Sequence, residues 1–495
     1  MRATSLLYCL LLWTTSGALE AQSGRVTGVV GTLTRTPGVV TAADGRTMEV
    51  ESGALLVPES RARPTERVIS IPYYRLRSTA AEPGTPIFLL AGGPGSSWID
   101  QVENEANFDE VQFYRSNADV VLFDQRGAGH SLPNLGCDEH VDLPAELPLR
   151  IDILAAAIRD KAAACRDRWL AAGVDLQAYT TAENAADVDA LRAALGYDRV
   201  TLIGGSYGSH LALALMRYFP ESIERVVMHG IEGPDHTWDS PSGRLRAFNR
   251  HAAAVEASGA LGARMPRGGL LEALRSVITR LDADPVLVRS GDGPDASEVV
   301  VDGTTVRLIA GFQAGQRNRP LAWPRFILDM YEGDYSLPAE AALAFREYPV
   351  DDPMHFMMDC SSGISPARAA RYGNAPARGL LGDINWEYAE LCGTWRAPDL
   401  GAGFRAPLRS AIPTVIVHGT WDTSTPIENA REVVATLENG QLVEVITGNH
   451  GALYNLYSHW EPIFDLLGAF LRGEEVRFPA EVRLQVEFDA PHAEP

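Results

Sequence analysis

Positive charge is scarce in this chain: 43 Lys and Arg stand against 64 Asp and Glu, a formal net charge of −21 over 495 residues. A phosphate backbone or an anionic bilayer is repelled by such a field, so neither nucleic acid nor an anionic membrane surface is the expected partner, and high solubility is the plain consequence. Long apolar runs are missing as well. Beyond the first two dozen residues no segment is long and apolar enough for a transmembrane helix. Internal repeats and low-complexity tracts are absent, and the 46% hydrophobic content suffices for one large core or two modest ones in a globular protein. Cysteine is sparse, five in all and without the CxxC spacing of a zinc site, so no metal is expected.

What is present begins with "MRATSLLYCLLLWTTSGALEAQSG": Arg2, an apolar stretch from Leu6 to Trp13, then small residues including Ala18 and Ala21. That order reads as a secretory signal peptide over 1–21, with a retained anchor the weaker alternative because the apolar core is too short to span a bilayer. A lipoprotein reading through Cys9 is poorer, since Tyr8 precedes the cysteine. Loss of the leader leaves Cys137, Cys165, Cys360 and Cys392, an even number in a chain bound for a secreted or periplasmic compartment. Two disulfides are plausible among three connectivities. The grouping into an early and a late pair favours Cys137 with Cys165 and Cys360 with Cys392; four reduced buried cysteines are the alternative.

The opening "GRVTGVVGTLTRTPGVV", "GALLVPES" and "RVISIPYYRLRS" read as short antiparallel edge strands. Then "PIFLLAG", "ADVVLFD", "RVTLIG", "ERVVMHG", "PTVIVHG" and "QLVEVITG" follow, apolar throughout and each ending in Gly or Asp. Unalternating runs suit strands covered on both faces of a mostly parallel sheet. Helical patterns such as "AENAADVDALRAALG" and "PIENAREVVATLENG" fall between several of them, which predicts an α/β fold with crossover helices. The first four core strands are separated from the last two by a stretch of different character at 236–410, with the helical "GLLEALRSVITRL" and an Asp-Gly hairpin signal in "EVVVDGTTVRL". The expected organisation is a core at 22–235 and 411–472, a large, mainly helical cap inserted at 236–410, and a tail at 473–495 that adds at most the strand "EVRLQVEF".

Chemistry concentrates at the ends of these strands. "GGSYG", Gly204 to Gly208, fits G-x-S-x-G between a predicted strand and a predicted helix, which presents Ser206 at a sharp elbow above the sheet. The same small residues would also serve a plain turn. A serine nucleophile needs a base and an orienting acid, and Asp422 in "VHGTWDTSTP" and His450 in "TGNHGAL" follow successive strands in the order Ser, Asp, His. Backbone N–H groups of Gly93, in "LLAGGPGSSW", and Tyr207 are the expected oxyanion donors. In "DQRGAGHS", Asp124 and Arg126 are expected to brace each other and the site floor. No cofactor is called for.

Together "GGPG", "DQRGAGHS", "GGSYGS", "HGTWDTSTP" and "GNHG", in this order, with "YTTAENAADVDALRAALG" ahead of the elbow, resemble the prolyl aminopeptidase and tripeptidyl aminopeptidase family of α/β-hydrolase serine peptidases. The resemblance implies the α/β-hydrolase fold and removal of residues from a free peptide N-terminus, with acidic groups holding the substrate ammonium. Glu232 in "HGIEGPDHTW" is the first candidate and Asp235 the second. Two departures stand out. Ala91 occupies the place of a His in the short prolyl enzymes, and "CSSG" after Cys360 lacks the acidic pair of some relatives. An esterase or lactonase using the same triad on a small molecule is the alternative function, and a non-catalytic binding protein would be expected to have lost a triad member.

Overall fold

The computed structural model describes residues 26–488 apart from 260, 292–295, 316–321, 349, 351–352 and 487. The leader expected at 1–21, with Cys9, lies outside the described residues, as does the end of the tail. Twelve strands are formed among the described residues: β1 (Thr36–Thr41), β2 (Thr47–Pro58), β3 (Val68–Leu76), β4 (Ile87–Leu90), β5 (Val120–Phe123), β6 (Val200–Gly205), β7 (Ile223–His229), β8 (Val286–Ser290), β9 (Ser297–Val301), β10 (Thr414–Gly419), β11 (Gly440–Ile446) and β12 (Glu481–Arg483). Ten of them make one sheet in the order β1-β2-β3-β5-β4-β6-β7-β10-β11-β12. The pairs β1/β2, β2/β3 and β3/β5 are antiparallel. From β5 to β12 every pairing is parallel.

The apolar runs explain the layering. Along β4 and β5, Phe88, Leu90, Val121 and Phe123 enter one core while Ile87, Leu89, Val120 and Leu122 enter another on the opposite face. Successive side chains of a strand point to opposite faces, so a run with no polar positions must be covered twice. Helices Thr181–Ala194 and Tyr207–Tyr218 supply one cover through Ala185, Val188, Leu191 and Leu211. Helices Glu105–Arg115 and Ala452–His459 supply the other through Phe108, Val111, Leu453 and Leu456. Full burial of each such Phe or Leu is worth about 1.5–3 kcal/mol. No helix of the described residues is long and apolar enough to cross a membrane.

Between β7 and β10 the chain leaves the sheet and builds helices and the β8/β9 hairpin around a third core that includes Phe248, Leu274, Val299, Trp323, Ile327 and Leu381. Helices Pro353–Ser362 and Trp386–Trp395 instead pack into the core on the sheet, through Met354, Met357, Met358, Leu391 and Trp395. Trp421, from the loop after β10, belongs to the third core, its ring stacked at 4.3 Å and 16° on His251 of helix Pro241–Ser258. Disulfides join Cys137 to Cys165 and Cys360 to Cys392.

Two sequence expectations are corrected. Asp302-Gly303 is not a hairpin turn: Asp302 accepts hydrogen bonds from the N–H groups of Thr305, at 2.8 Å, and of Leu149, and the helix Gly303–Gly315 begins there. An Asp side chain satisfies first-turn N–H groups, which competes with its use in a tight turn. Asp124 and Arg126 do not brace each other. Asp124 accepts from Ser97 Oγ at 3.0 Å and His130 N at 2.9 Å, whereas Arg126 donates to both carboxylate oxygens of Asp187 at 2.7 and 2.8 Å and to the carbonyls of Glu59 and Ala178, each at 2.6 Å.

Arg126 is wholly buried and Asp187 is 1% exposed. Without Arg126 the buried Asp187 keeps only Arg61, 2.7 Å away, as its cation, and Arg126→Ala is expected to cost about 3 kcal/mol, read as a lower urea midpoint with an unchanged slope.

Candidate active site

The sequence folds into an elbow after β6 because side chains are missing where backbones meet. A Cβ on Gly204 would lie 2.4 Å from the Gly208 carbonyl oxygen, one on Gly205 2.0 Å from the His229 ring, and one on Gly208 2.3 Å from the Leu90 carbonyl oxygen. Helix Tyr207–Tyr218 can therefore start against β4 and β7 with no linker, and Ser206 takes φ +55° and ψ −129° at the junction. Such backbone is uncommon for a non-glycine residue and persists only where the surroundings impose it. The Ser206 N–H donates to the His229 carbonyl at 3.1 Å, and the Ser206 carbonyl accepts from Ser209 N at 2.8 Å and Ser209 Oγ at 2.6 Å.

The loop after β4 closes one side. A Cβ on Gly92 would sit 3.4 Å from Ser206 Cβ, and Gly93 turns at φ +107°. Gln125 Nε2 holds the loop by donating to the Ala91 carbonyl at 2.8 Å. Tyr207 opens its helix, where the first N–H groups have no partner within the helix. Its buried phenol is tied down by Thr181 and Asn184 at 3.1 and 3.4 Å.

On the other side β10 and β11 end in the loops that carry Asp422 and His450, and the imidazole lies over Gly230, where a Cβ would come within 2.9 Å of Cε1. His450 Nδ1 is 2.9 Å from Asp422 Oδ2. Asp422 is fully buried, and its oxygens accept from Ser424 N and Thr425 N at 2.9 Å each and from Thr425 Oγ1 at 2.7 Å. Burial opposes ionisation of Asp422, but His450 and these donors outweigh it and hold its carboxyl below the ordinary range. With the acid ionised, Nδ1 of His450 carries the proton and Nε2 is left without one. Burial also disfavours the imidazolium, yet Asp422, with a smaller share from Asp239, lifts the His450 pKa above its usual value.

A second buried histidine supports this loop. Ile231 N–H donates to His418 Nδ1 at 3.1 Å, so Nε2 is the protonated nitrogen and donates to the Thr425 carbonyl at 2.6 Å. Burial holds its pKa down, consistent with a neutral ring 3.6 Å from Asp422.

Glu232 follows β7 and lies beside the elbow, its N–H donating to Ser209 Oγ at 2.9 Å. The side chain is buried and Oε1 has no hydrogen-bond partner among the described residues. Burial first, then repulsion from Asp359 and Asp239, raises its carboxyl well above the usual range. The nearby His210 Nδ1, 3.7 Å away, does not neutralise it: burial keeps that imidazole neutral, with a pKa lowered to about 4. Asp359 and Asp239 are near enough to act on the charge of Glu232 and on that of Tyr388, and Asp239 is itself paired with Arg244 Nη2 at 2.6 Å. Tyr388 donates to Asp359 Oδ2 at 2.9 Å and stacks on Trp238 at 5.6 Å and 11°. Glu387, on the same helix, is pushed up to about 7 by burial.

The other acid expected to meet substrate is committed elsewhere. Asp235 accepts from Ser365 N, from Ser365 Oγ at 2.8 Å and from Arg368 Nε at 3.0 Å, fastening the start of helix Pro366–Gly373. The sequence reading missed Asp359 and Asp239. Asp359 directly precedes the Cys360 after which an acid was sought, and Asp239 directly follows an aromatic in "HTWDS".

Residues 85–254 match the family model for the alpha/beta hydrolase fold, and residues 382–459 match the model described as TAP-like protein. Serine protease Hip1 of Mycobacterium tuberculosis is 27% identical over 439 residues, 79% of each chain. Tripeptidyl aminopeptidase of Streptomyces lividans is 31% identical over 202 residues, 38% of this chain and 37% of its own. Proline iminopeptidase of Xylella fastidiosa is 32% identical over 148 residues, 30% of this chain and 33% of its own.

Because Asp422 is the main group raising the His450 pKa against burial, Asp422→Asn is expected to move the titration of this imidazole to lower pH, observable by NMR of the histidine ring.

Proposed function

We propose, on the premise that this chain belongs to the α/β-hydrolase serine peptidases, that it is an aminopeptidase acting through Ser206, His450 and Asp422. Ser206 Oγ attacks the scissile carbonyl while His450 Nε2 takes its proton, and Asp422 holds Nδ1–H and the charge that forms on the ring. The oxyanion is received by the N–H groups of Gly93 and Tyr207. The imidazolium returns the proton to the departing amine. Water, deprotonated by the same imidazole, then releases the acyl group from Ser206.

The observation that carries the choice of a free N-terminus is the unpartnered Oε1 of buried Glu232 beside the elbow. A buried carboxyl without a cation is costly to ionise, and a substrate ammonium supplies the missing partner. Asp359 and Asp239 add negative potential at the same place. The stacked rings of Tyr388 and Trp238 give a flat apolar surface for the first side chain. By this reading residues 236–410 are a cap over the site and the substrates are peptides. The paired cysteines support passage through an oxidising compartment, in keeping with a secreted or periplasmic enzyme.

Hydrolysis of an aminoacyl or tripeptidyl p-nitroanilide is expected to fall by at least about 10³-fold in Ser206→Ala; unchanged hydrolysis by that variant overturns the triad. Acetylating the substrate amine is expected to raise KM with the triad intact, and equal cleavage of free and blocked peptides would instead mark an esterase-like, amine-blind site.

A pH dependence follows from the same carboxyl. Its pKa is raised in the free enzyme, so it is protonated at the acid end and ionises when pH rises or an ammonium binds. KM for free-amine substrates is expected to rise as pH falls through that range. Glu232→Gln is expected to flatten this change, measured as KM against pH beside a substrate with no amine.

A further inference from the structure

Two helices beside Glu232 are cross-linked to each other, and the first of them reaches Glu232 through His210, whose Nδ1 is 3.7 Å from Glu232 Oε1 and whose Nε2 is 3.0 Å from Ser362 Oγ. Asp359 lies on helix Pro353–Ser362 next to Cys360, and Tyr388 lies on helix Trp386–Trp395 four residues before Cys392. Tyr388 and Cys392, four apart, share one face of their helix, and Asp359 and Cys360 are adjacent on the other, so the bond from Tyr388 to Asp359 and the disulfide from Cys392 to Cys360 tie the two helices close together. The first helix is also pinned to the elbow: Ser362 Oγ lies 3.0 Å from His210 Nε2 and 3.0 Å from Thr181 Oγ1. Thr181 in turn holds the phenol of Tyr207.

Resting on the amine-site reading above, we infer that the Cys360–Cys392 disulfide is a positioning element of substrate recognition, holding the Asp359 and Tyr388 helices at the separation that presents the acidic groups to a substrate ammonium. Without the cross-link, the two helices are held together here by the contacts of Tyr388 with Asp359 and His355 and by packing. Recognition of the amine loosens, while the Ser206, His450 and Asp422 groups, on the sheet edge, stay in place. Both sulfur-bearing residues are partly exposed. A dithiol such as dithiothreitol can therefore open the bond: its thiolate attacks one sulfur, the other leaves as a thiolate that takes a proton, and the second thiol resolves the mixed disulfide. Cys360 and Cys392 gain two electrons and two protons, and the reductant departs as its own cyclic disulfide.

The test compares the full chain with the double variant Cys360→Ala/Cys392→Ala on an aminoacyl p-nitroanilide with a free amine and on p-nitrophenyl acetate, which has none. KM for the anilide is expected to rise roughly tenfold, with its kcat and the rate on the acetate ester unchanged within about twofold. An unchanged KM with only a lower melting temperature overturns the inference, as does an equal loss on both substrates. If the double variant does not fold, the wild-type enzyme is reduced with dithiothreitol, alkylation at Cys360 and Cys392 is verified by mass spectrometry, and the same split in KM is required. Cys137→Ala/Cys165→Ala, which removes the other disulfide, is expected to leave KM unchanged. Glu232→Gln in the intact enzyme separates the two levels. If it leaves KM for the free amine unaltered, the amine site and the disulfide role fall together; if it raises KM and opening the disulfide does not, only the disulfide role falls.

Discussion

The contact on which the site depends is the approach of β6 and the helix Tyr207–Tyr218 to the backbones around them. Three glycines remove the side chains that would collide with Gly208, His229 and Leu90, and the space they release is taken by the Gly208 and Leu90 main chain and the His229 ring. Ser206 is held between them in a conformation it would not choose, its N–H fixed to the end of β7 and its carbonyl fixed within its own helix. The strain of one residue, of order 1–3 kcal/mol, is over-determined by the burial of two whole faces of sheet. Because the neighbouring strands are parallel, their loops emerge at the same edge, so the groups that must surround Ser206 come from β4, β7, β10 and β11 without any long excursion.

Two carboxyl groups near that edge are treated in opposite ways. Asp422 is buried but surrounded by donors from Ser424, Thr425 and His450, and it stays ionised. Glu232 is buried with one oxygen unsatisfied and other acids near it, and its carboxyl is pushed well above the usual range. Environment, not residue type, separates a carboxyl held ionised beside an imidazole from one whose ionisation burial opposes. His418 shows a third treatment. Its two nitrogens are both spent on backbone groups, so a ring next to Asp422 contributes shape without competing for the proton.

The sheet was legible because its signal is local: unbroken apolar runs such as "IFLL" and "VVLF" can only be strands covered twice. Ser206, Asp422 and His450 were legible for a related reason. Each sits at the end of such a run, where parallel topology alone brings strand ends together. What sequence reading could not supply was the choice among partners that packing makes. Arg126 and Asp124 stand in one motif, yet Arg126 finds Asp187 on a distant helix and Asp124 finds Ser97. Asp235 and Asp239 look alike in "EGPDHTWDS", yet Ser365 and Arg368 hold Asp235 while Arg244 holds Asp239. Asp302-Gly303 carries both a hairpin signal and a helix-start signal, and the neighbouring Leu149 and Thr305 decide between them.

Trp421 sits immediately before Asp422, and its ring is housed not by the sheet but by the third core, against His251 of the first helix in the stretch between β7 and β10. The acid that orients His450 is thus anchored by a neighbour whose seat is built from the inserted stretch. A chimaera that kept this sheet and borrowed a foreign stretch between β7 and β10 would have to carry its own socket for an indole. Without that, the new roof would come with a loosened acid, and transplanting specificity would erode turnover. In this molecule the two halves have to change together.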